Sequence, residues 1–256
     1  MDVPLIDSGR VAFEVQRRLL VEPPSLERAD IAVSWRPFGD VGGDFYDFTG
    51  LEEGSVGITL GDVSGKGYDA ALLMVFALAE TRVRLRDHQR LTYLMSELDR
   101  SLRQYSSESK YAEVLVGTYS PYTRRFTYVP GGAIAPVVYR ASSDELTVYE
   151  STGCRVPGIS IVAGEDAPFV DQSVDLELGD VLMLFTDGVS ERQDEHGELL
   201  VHRDDFGALV APVVEKQCRA SSALGASGLM KQLLKCLDDL PSGRADDETI
   251  VVLKAK

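Results

Sequence analysis

The stretch Gly61-Asp62-Val63-Ser64-Gly65-Lys66-Gly67 constrains this chain most. It follows an apolar run, Val56 to Leu60, that reads as a buried strand. It precedes Tyr68 to Ala79, which reads as a buried helix. Asp62 therefore stands where a strand gives way to a glycine-rich turn. A carboxylate there can accept the backbone N–H groups of its own turn, or it can hold a cation. The same stretch looks like a phosphate-binding loop but departs from that pattern twice. Three residues rather than four separate the first Gly from Gly-Lys, and Gly67 stands where Ser or Thr is needed. Asp62 would also repel a phosphate. Lys66 is then a solvated turn residue or a weak substrate contact.

Three further acidic positions share the context of Asp62. Asp44 closes Val41-Gly-Gly-Asp, Asp187 follows the apolar run Val181–Phe185, and Asp246-Asp247 precede a final strand from Ile250. If these strands are neighbours, the carboxylates gather at one sheet edge. Gathered carboxylates cannot all stay ionised without positive charge beside them. No basic residue adjoins most of them, so divalent cations are the natural compensation, and oxygen-only ligands favour Mg²⁺ or Mn²⁺ over zinc. Two such ions ~3.5–4 Å apart can activate water and stabilise the oxygen displaced from a phosphate ester. The bland alternative is four unrelated structural turns. The histidines, His88, His196 and His202, are scattered, and no Ser-His-Asp or Cys-His arrangement is visible.

The rest of the chain reads as one α+β domain. Val11, Val15 and Leu19 mark an amphipathic helix over 10–20 that Pro23-Pro24 stops; it packs on its own domain or serves self-association. Strands are expected at 31–36, 45–48 and 55–60. A second helix is expected at 91–105. Strands at 113–119, 126–129, 136–139 and 146–149 then read as an antiparallel meander. Arg82, Arg84 and Arg86 crowd the end of the buried helix, where the helix dipole favours cations. Helices are expected over 204–217 and 222–239.

The net charge of −15, from 41 acidic and 26 basic residues, argues against nucleic acid or an anionic membrane as partner. The three cysteines, Cys154, Cys218 and Cys236, form no zinc pattern and suit a reducing compartment. No secretory signal is visible at the N-terminus, and the longest apolar run falls short of the ~20 residues that span a bilayer. A cytoplasmic location is expected.

Four motifs in order carry a resemblance. Val41-Gly-Gly-Asp-Phe-Tyr-Asp47, Gly61–Gly67 with Ala70-Ala-Leu-Leu-Met74, Phe185-Thr-Asp-Gly-Val-Ser-Glu191 and Asp246-Asp-Glu-Thr249 resemble the SpoIIE-type (RsbU-like) serine phosphatases. These are a bacterial branch of the metal-dependent, protein phosphatase 2C-like enzymes, and the resemblance spans roughly residues 10 to 254. It implies a four-layer α-β-β-α sandwich of antiparallel sheets over 25–256, with 1–24 as a dimerisation or regulatory helix and linker. It implies two Mn²⁺ or Mg²⁺ ions. Asp62 resembles the bridging ligand, Asp44 with the Val63 backbone carbonyl the ligands of the first ion, Asp187 the ligand of the second, and Asp246 the ligand that closes the site, with Asp247 the alternative to Asp246. It implies in-line attack of a bridging hydroxide on phosphoserine or phosphothreonine. The implied substrate is a phosphorylated anti-anti-sigma (STAS) protein in a partner-switching pathway, with a regulatory protein or a homodimer as further partners.

The chain departs from the family pattern where relatives carry Ala-Gly-His-Pro-Pro-Pro. Here Gly131-Gly-Ala-Ile-Ala-Pro136 stands, with Ala133 at the histidine position, and Val156-Pro-Gly158 replaces a Pro-Leu-Gly turn. A catalytically weak, phosphatase-like binding module is the alternative these changes motivate. A hydrolase of small phosphate esters is a third reading.

Overall fold

The computed structural model describes residues 8–87, 90–105, 110–132, 134–149, 157, 169–190, 192, 196, 216, 224–240 and 244–256. Two five-stranded antiparallel sheets stack face to face. One orders its strands β2 (Phe45–Gly50), β3 (Val56–Val63), β4 (Ala112–Ser120), β5 (Arg125–Gly131) and β8 (Gln172–Asp175). The other orders β1 (Ala29–Arg36), β10 (Glu248–Ala255), β9 (Val181–Phe185), β6 (Val137–Arg140) and β7 (Glu145–Val148). Helices α2 (Tyr68–Arg86) and α3 (Leu91–Tyr105) cover the first sheet, and α5 (Ala226–Asp238) covers the second. These are the four α-β-β-α layers that the resemblance implies.

Period-two alternation builds the layers. Leu182 and Leu184 of β9 and Val251 and Leu253 of β10 point between the sheets, into one core with Ile58, Leu60 and Val116. Their neighbours Val181, Met183, Phe185, Ile250 and Val252 point the other way, onto Leu229, Leu233 and Leu237 of α5. Both faces of β9 and β10 are apolar for this reason, and the apolar run Val181–Phe185 is a buried strand.

Three expectations change. The strands from 112 to 148 are not one meander. β4 and β5 pair in the first sheet, then the chain crosses at 132–136 and β6 pairs with β7 in the second. Alternation marks a strand but not the sheet it joins. β3 runs to Val63, so Asp62 lies within the strand, opposite Glu113 of β4, rather than after it. The third change concerns α1 (Ser8–Leu19), whose Val11 and Val15 are exposed while Gln16 is buried. Phe13 stacks on Trp35 with centroids 5.8 Å apart. The Gln16 amide pairs twice with Gly42, its Nε2 donating to the carbonyl at 2.6 Å and its Oε1 accepting the N–H at 3.0 Å. Two hydrogen bonds to the backbone orient this helix, and a hydrophobicity pattern does not register them.

Arg82 is more than a dipole-favoured cation. It forks onto the buried Asp47 of β2, with Nη2–Oδ1 at 2.7 Å and Nε–Oδ2 at 3.0 Å, and donates to the Leu19 carbonyl at the end of α1. Of the predicted helix over 204–217 only residue 216 is described, and it is helical; Cys154, Cys218, His88, His202 and Ala133 lie outside the described residues. His196 is exposed, and Cys236 is half-buried in α5.

Candidate active site

Asp44, Asp62, Asp187 and Asp246 meet at one end of the two sheets. β2 and β3 are antiparallel, with Phe45 opposite Gly61, so the start of one lies beside the end of the other. Asp44 and Asp62 come from that junction. β9 and β10 are antiparallel with Phe185 opposite Ile250, and Asp187 and Asp246 flank that junction. Asp187 opens a single helical turn, α4 (Asp187–Ser190).

Two threonines join the sheets. The hydroxyls of Thr186 and Thr249 each donate to Asp44 Oδ2 at 2.7 Å. The Thr249 N–H donates to Thr186 Oγ1 at 3.0 Å, and the Thr186 N–H donates to the Thr249 carbonyl at 3.1 Å. Trp35 Nε1 donates to the Asp44 carbonyl at 3.0 Å. Asp44 is 1% exposed. Its Oδ2 is satisfied and its Oδ1 is buried with no hydrogen-bond partner.

Asp247 differs from its neighbour. Its Oδ1 accepts the Phe38 N–H at 2.6 Å and its Oδ2 the Gly43 N–H at 2.7 Å. Both oxygens thus clasp the loop that leads into Asp44. A Cβ on Gly42 would stand 2.6 Å from Asp247 Oδ2, and one on Gly43 would stand 2.5 Å from the Val63 carbonyl. The paired glycines before Asp44 admit those approaches. Asp246 instead keeps its side chain 44% exposed, accepting the Asp247 N–H on Oδ1 at 2.9 Å and facing Lys66 with Oδ2.

The turn after Asp62 does not need that carboxylate. The Ser64 N–H donates to the Tyr111 carbonyl at 2.9 Å, and Lys110 donates to the Ser64 carbonyl at 3.0 Å. Lys66 is not free in solvent: it reaches the 245–246 segment, 3.0 Å from Asp246 Oδ2.

The carboxylates press on one another. Burial and then the charges of Asp44, Asp187, Asp246 and Glu113 push Asp62 up to about 10. Burial lifts Asp44 well above the ordinary carboxylate range. Asp247 and Asp187 add to the lift, against the lowering hydrogen bonds of Thr249 and Thr186. The charges that act most strongly on Asp62 are all negative, an arrangement that cations would relieve.

That arrangement fits oxygen-preferring divalent ions. Asp44 Oδ1 is an orphaned buried acceptor at the site, and the donors are carboxylates and backbone carbonyls. Among the described residues no three acidic, His or Cys side chains already form a closed ligand group. Mg²⁺ keeps several waters and needs only one or two carboxylates per ion, so a closed group is not required.

Sequence reasoning named the four carboxylates but missed Thr186, Thr249, the Asp247 clasp and Glu113. The threonines lay inside the quoted motifs. Gly188 was also in view; a Cβ there would meet the Asp247 carbonyl at 1.9 Å, so the Asp187 and Asp246 segments pack backbone on backbone.

The family model for Stage II sporulation protein E (SpoIIE) matches residues 52–256, most of the chain. The chain belongs to the SpoIIE family. Phosphoserine phosphatase RsbU of Bacillus subtilis (strain 168) is 29% identical over 253 residues, which cover 96% of this chain and 69% of that protein. The structure of the RsbU and RsbW domains of a Mycobacterium tuberculosis protein matches with a TM-score of 0.76 at 23% identity, covering 93% of this chain and 62% of that one. The SiaA-PP2C domain of Pseudomonas aeruginosa matches with a TM-score of 0.72 at 21% identity, covering 98% and 96%. The SpoIIE fold seen here is therefore the PP2C sandwich. Among the described residues, no helix is long and apolar enough to cross a membrane.

Proposed function

We propose that this SpoIIE-family chain is a metal-dependent phosphoserine/phosphothreonine protein phosphatase. The observation that carries the reading is the convergence of Asp44, Asp62, Asp187 and Asp246 at one end of the sheets, where burial and then the charges of the other three push Asp62 up to about 10. Two bound Mn²⁺ or Mg²⁺ ions would supply an activated water and neutralise the phosphoryl oxygens. Asp62, which comes from the first junction and feels the charges of Asp187 and Asp246 from the second, would be the ligand shared by both ions. Asp44 offers Oδ1 while Thr186 and Thr249 hold Oδ2, and the Val63 carbonyl completes that side. Asp187 and Asp246 serve the second position. Asp246 rather than Asp247 is the ligand, because both Asp247 oxygens already accept backbone N–H groups.

The name of the RsbU relative supports phosphoserine as the substrate group. The proposed substrate is a phosphorylated STAS-type protein, within a system that includes a regulatory partner. Residues 1–24 carry α1, whose exposed Val11 and Val15, with Leu72 of α2 72% exposed nearby, support self-association as a homodimer. A monomeric mass by light scattering at high concentration would count against the dimer.

The deciding experiment is phosphate release from a phosphoserine protein while Mn²⁺ is titrated into chelator-treated enzyme, with Asp62→Asn alongside. Release that depends on Mn²⁺ and is lost in the variant is expected. Full activity in Asp62→Asn would overturn the assignment. Tight binding of the phosphoprotein without release, at saturating Mn²⁺, would favour the binding module.

A further inference from the structure

Lys66 is held at three points by segments other than its own turn. Its ammonium stands 3.0 Å from Asp246 Oδ2, donates to the Ala245 carbonyl, and lies 4.9 Å from the centroid of the Phe38 ring. The turn that carries it begins at Ser64, two residues after Asp62, so Lys66 ties the Asp62 strand to the Asp246 segment across the mouth of the site. Beside it opens a cavity of 160 Å³, bounded by Phe38, Asp40, Val41 and Tyr68.

We propose that Lys66 is a built-in counter-ion for Asp246, which occupies that carboxylate until a divalent cation displaces it into the adjoining cavity. Lys66 thereby sets the affinity of the second cation position. The inference rests on Asp246 being a ligand. An ammonium 3.0 Å from Oδ2 and a divalent cation on the same carboxylate repel one another. The lysine has somewhere to go: the exposed face of Phe38 attracts a cation independently of Asp246, and the cavity is open to solvent. Lys66 also brings a positive charge to a cluster whose strongest charges on Asp62 are negative, so its loss is felt by whatever cation binds there.

The test is calorimetric titration of Mn²⁺ into the chelator-treated full chain, comparing Lys66→Gln, Lys66→Arg and Lys110→Gln with the parent. Lys110 is the control for a general loss of positive charge, because it donates to the Ser64 carbonyl of the same turn and pairs with Asp69 at 2.8 Å. An exposed pair of this kind is worth a modest amount, so Lys66→Gln should tighten the weaker Mn²⁺ event about two- to five-fold at low salt. The gain should shrink at high ionic strength. Lys66→Arg, which keeps the charge, should stay near the parent value. An unchanged affinity in Lys66→Gln, or an equal gain in Lys110→Gln, overturns the inference and leaves the phosphatase reading standing. No Mn²⁺ binding in any of the four proteins overturns both.

Discussion

The two threonines that join the sheets make unequal contributions, and the inequality is a test of the site. Thr249 donates one hydroxyl bond to Asp44 Oδ2. Thr186 donates its equivalent and also accepts the buried Thr249 N–H. Thr→Val keeps the shape and removes the hydroxyl. In the metal-free protein, burial favours the neutral Asp44, so Thr249→Val loses one ordinary hydrogen bond, about 1 kcal/mol. Thr186→Val loses the same bond and orphans a buried N–H, which adds about 1–3 kcal/mol. The expected totals are therefore about 1 kcal/mol for Thr249→Val and about 2–4 kcal/mol for Thr186→Val.

Saturating Mn²⁺ ionises Asp44, and a bond to a charged acceptor is worth about 1.5–3 kcal/mol, so the cost of Thr249→Val should grow when metal is present. Both variants should also weaken Mn²⁺ binding about 10–100-fold, as loss of an orienting partner does for other metal ligands. The assay is urea unfolding with and without Mn²⁺, read as the midpoint at constant slope. If Thr186→Val proves no more damaging than Thr249→Val in the metal-free protein, the assigned bonding pattern is wrong.

Other perturbations follow from the same geometry. Asp62 is raised from an ordinary carboxylate value to about 10, so its contribution to metal-free stability is full at acid pH and is lost as pH climbs toward that value. Thermal unfolding of the chelated protein between pH 5 and 9 should therefore show falling stability, and Asp62→Asn should flatten that slope; a parallel slope in the variant would refute the cause. Arg82→Met removes the fork on Asp47 and leaves a buried carboxylate with only the Thr49 hydroxyl at 3.2 Å and no cation, at a cost of about 3–5 kcal/mol in urea unfolding, whereas a loss under 1 kcal/mol would show the pair to be incidental. Gly188→Ala places a Cβ 1.9 Å from the Asp247 carbonyl, so the two segments must part. Mn²⁺ affinity should fall together with stability, and unchanged calorimetry would argue that the segments move independently.

Much of the fold was legible because its cause is local. The apolar runs of β3, β9 and β10 are buried on both faces, and buried strands have that appearance. What escaped notice depended on partners far along the chain. Gln16 lies off the Val11, Val15 and Leu19 line that marks the helix, yet Gly42 turns it inward. Arg82 looked like a helix-end cation, yet Asp47 draws it into a buried fork. The Gly131-Gly132 step reads as one more turn of a meander, because alternation is the same whether the next strand stays in its sheet or leaves it.

The site shows where that boundary lies. Antiparallel pairing sets the end of one strand beside the start of the next, so a carboxylate before β2 and one at the end of β3 must be neighbours once those strands pair. The same rule joins Asp187 to Asp246 through β9 and β10. Each pair follows from motifs and turns. The union of the two pairs does not, since no rule of strand pairing says which ends of two stacked sheets coincide. Thr186 and Thr249 supply that relation, because both come from the second sheet and both donate to a carboxylate at the edge of the first. Their hydroxyls have no reason to be buried at the ends of β9 and β10 unless Asp44 lies across from them. A buried threonine directly beside a motif carboxylate is thus the sequence signal that the two half-sites belong together.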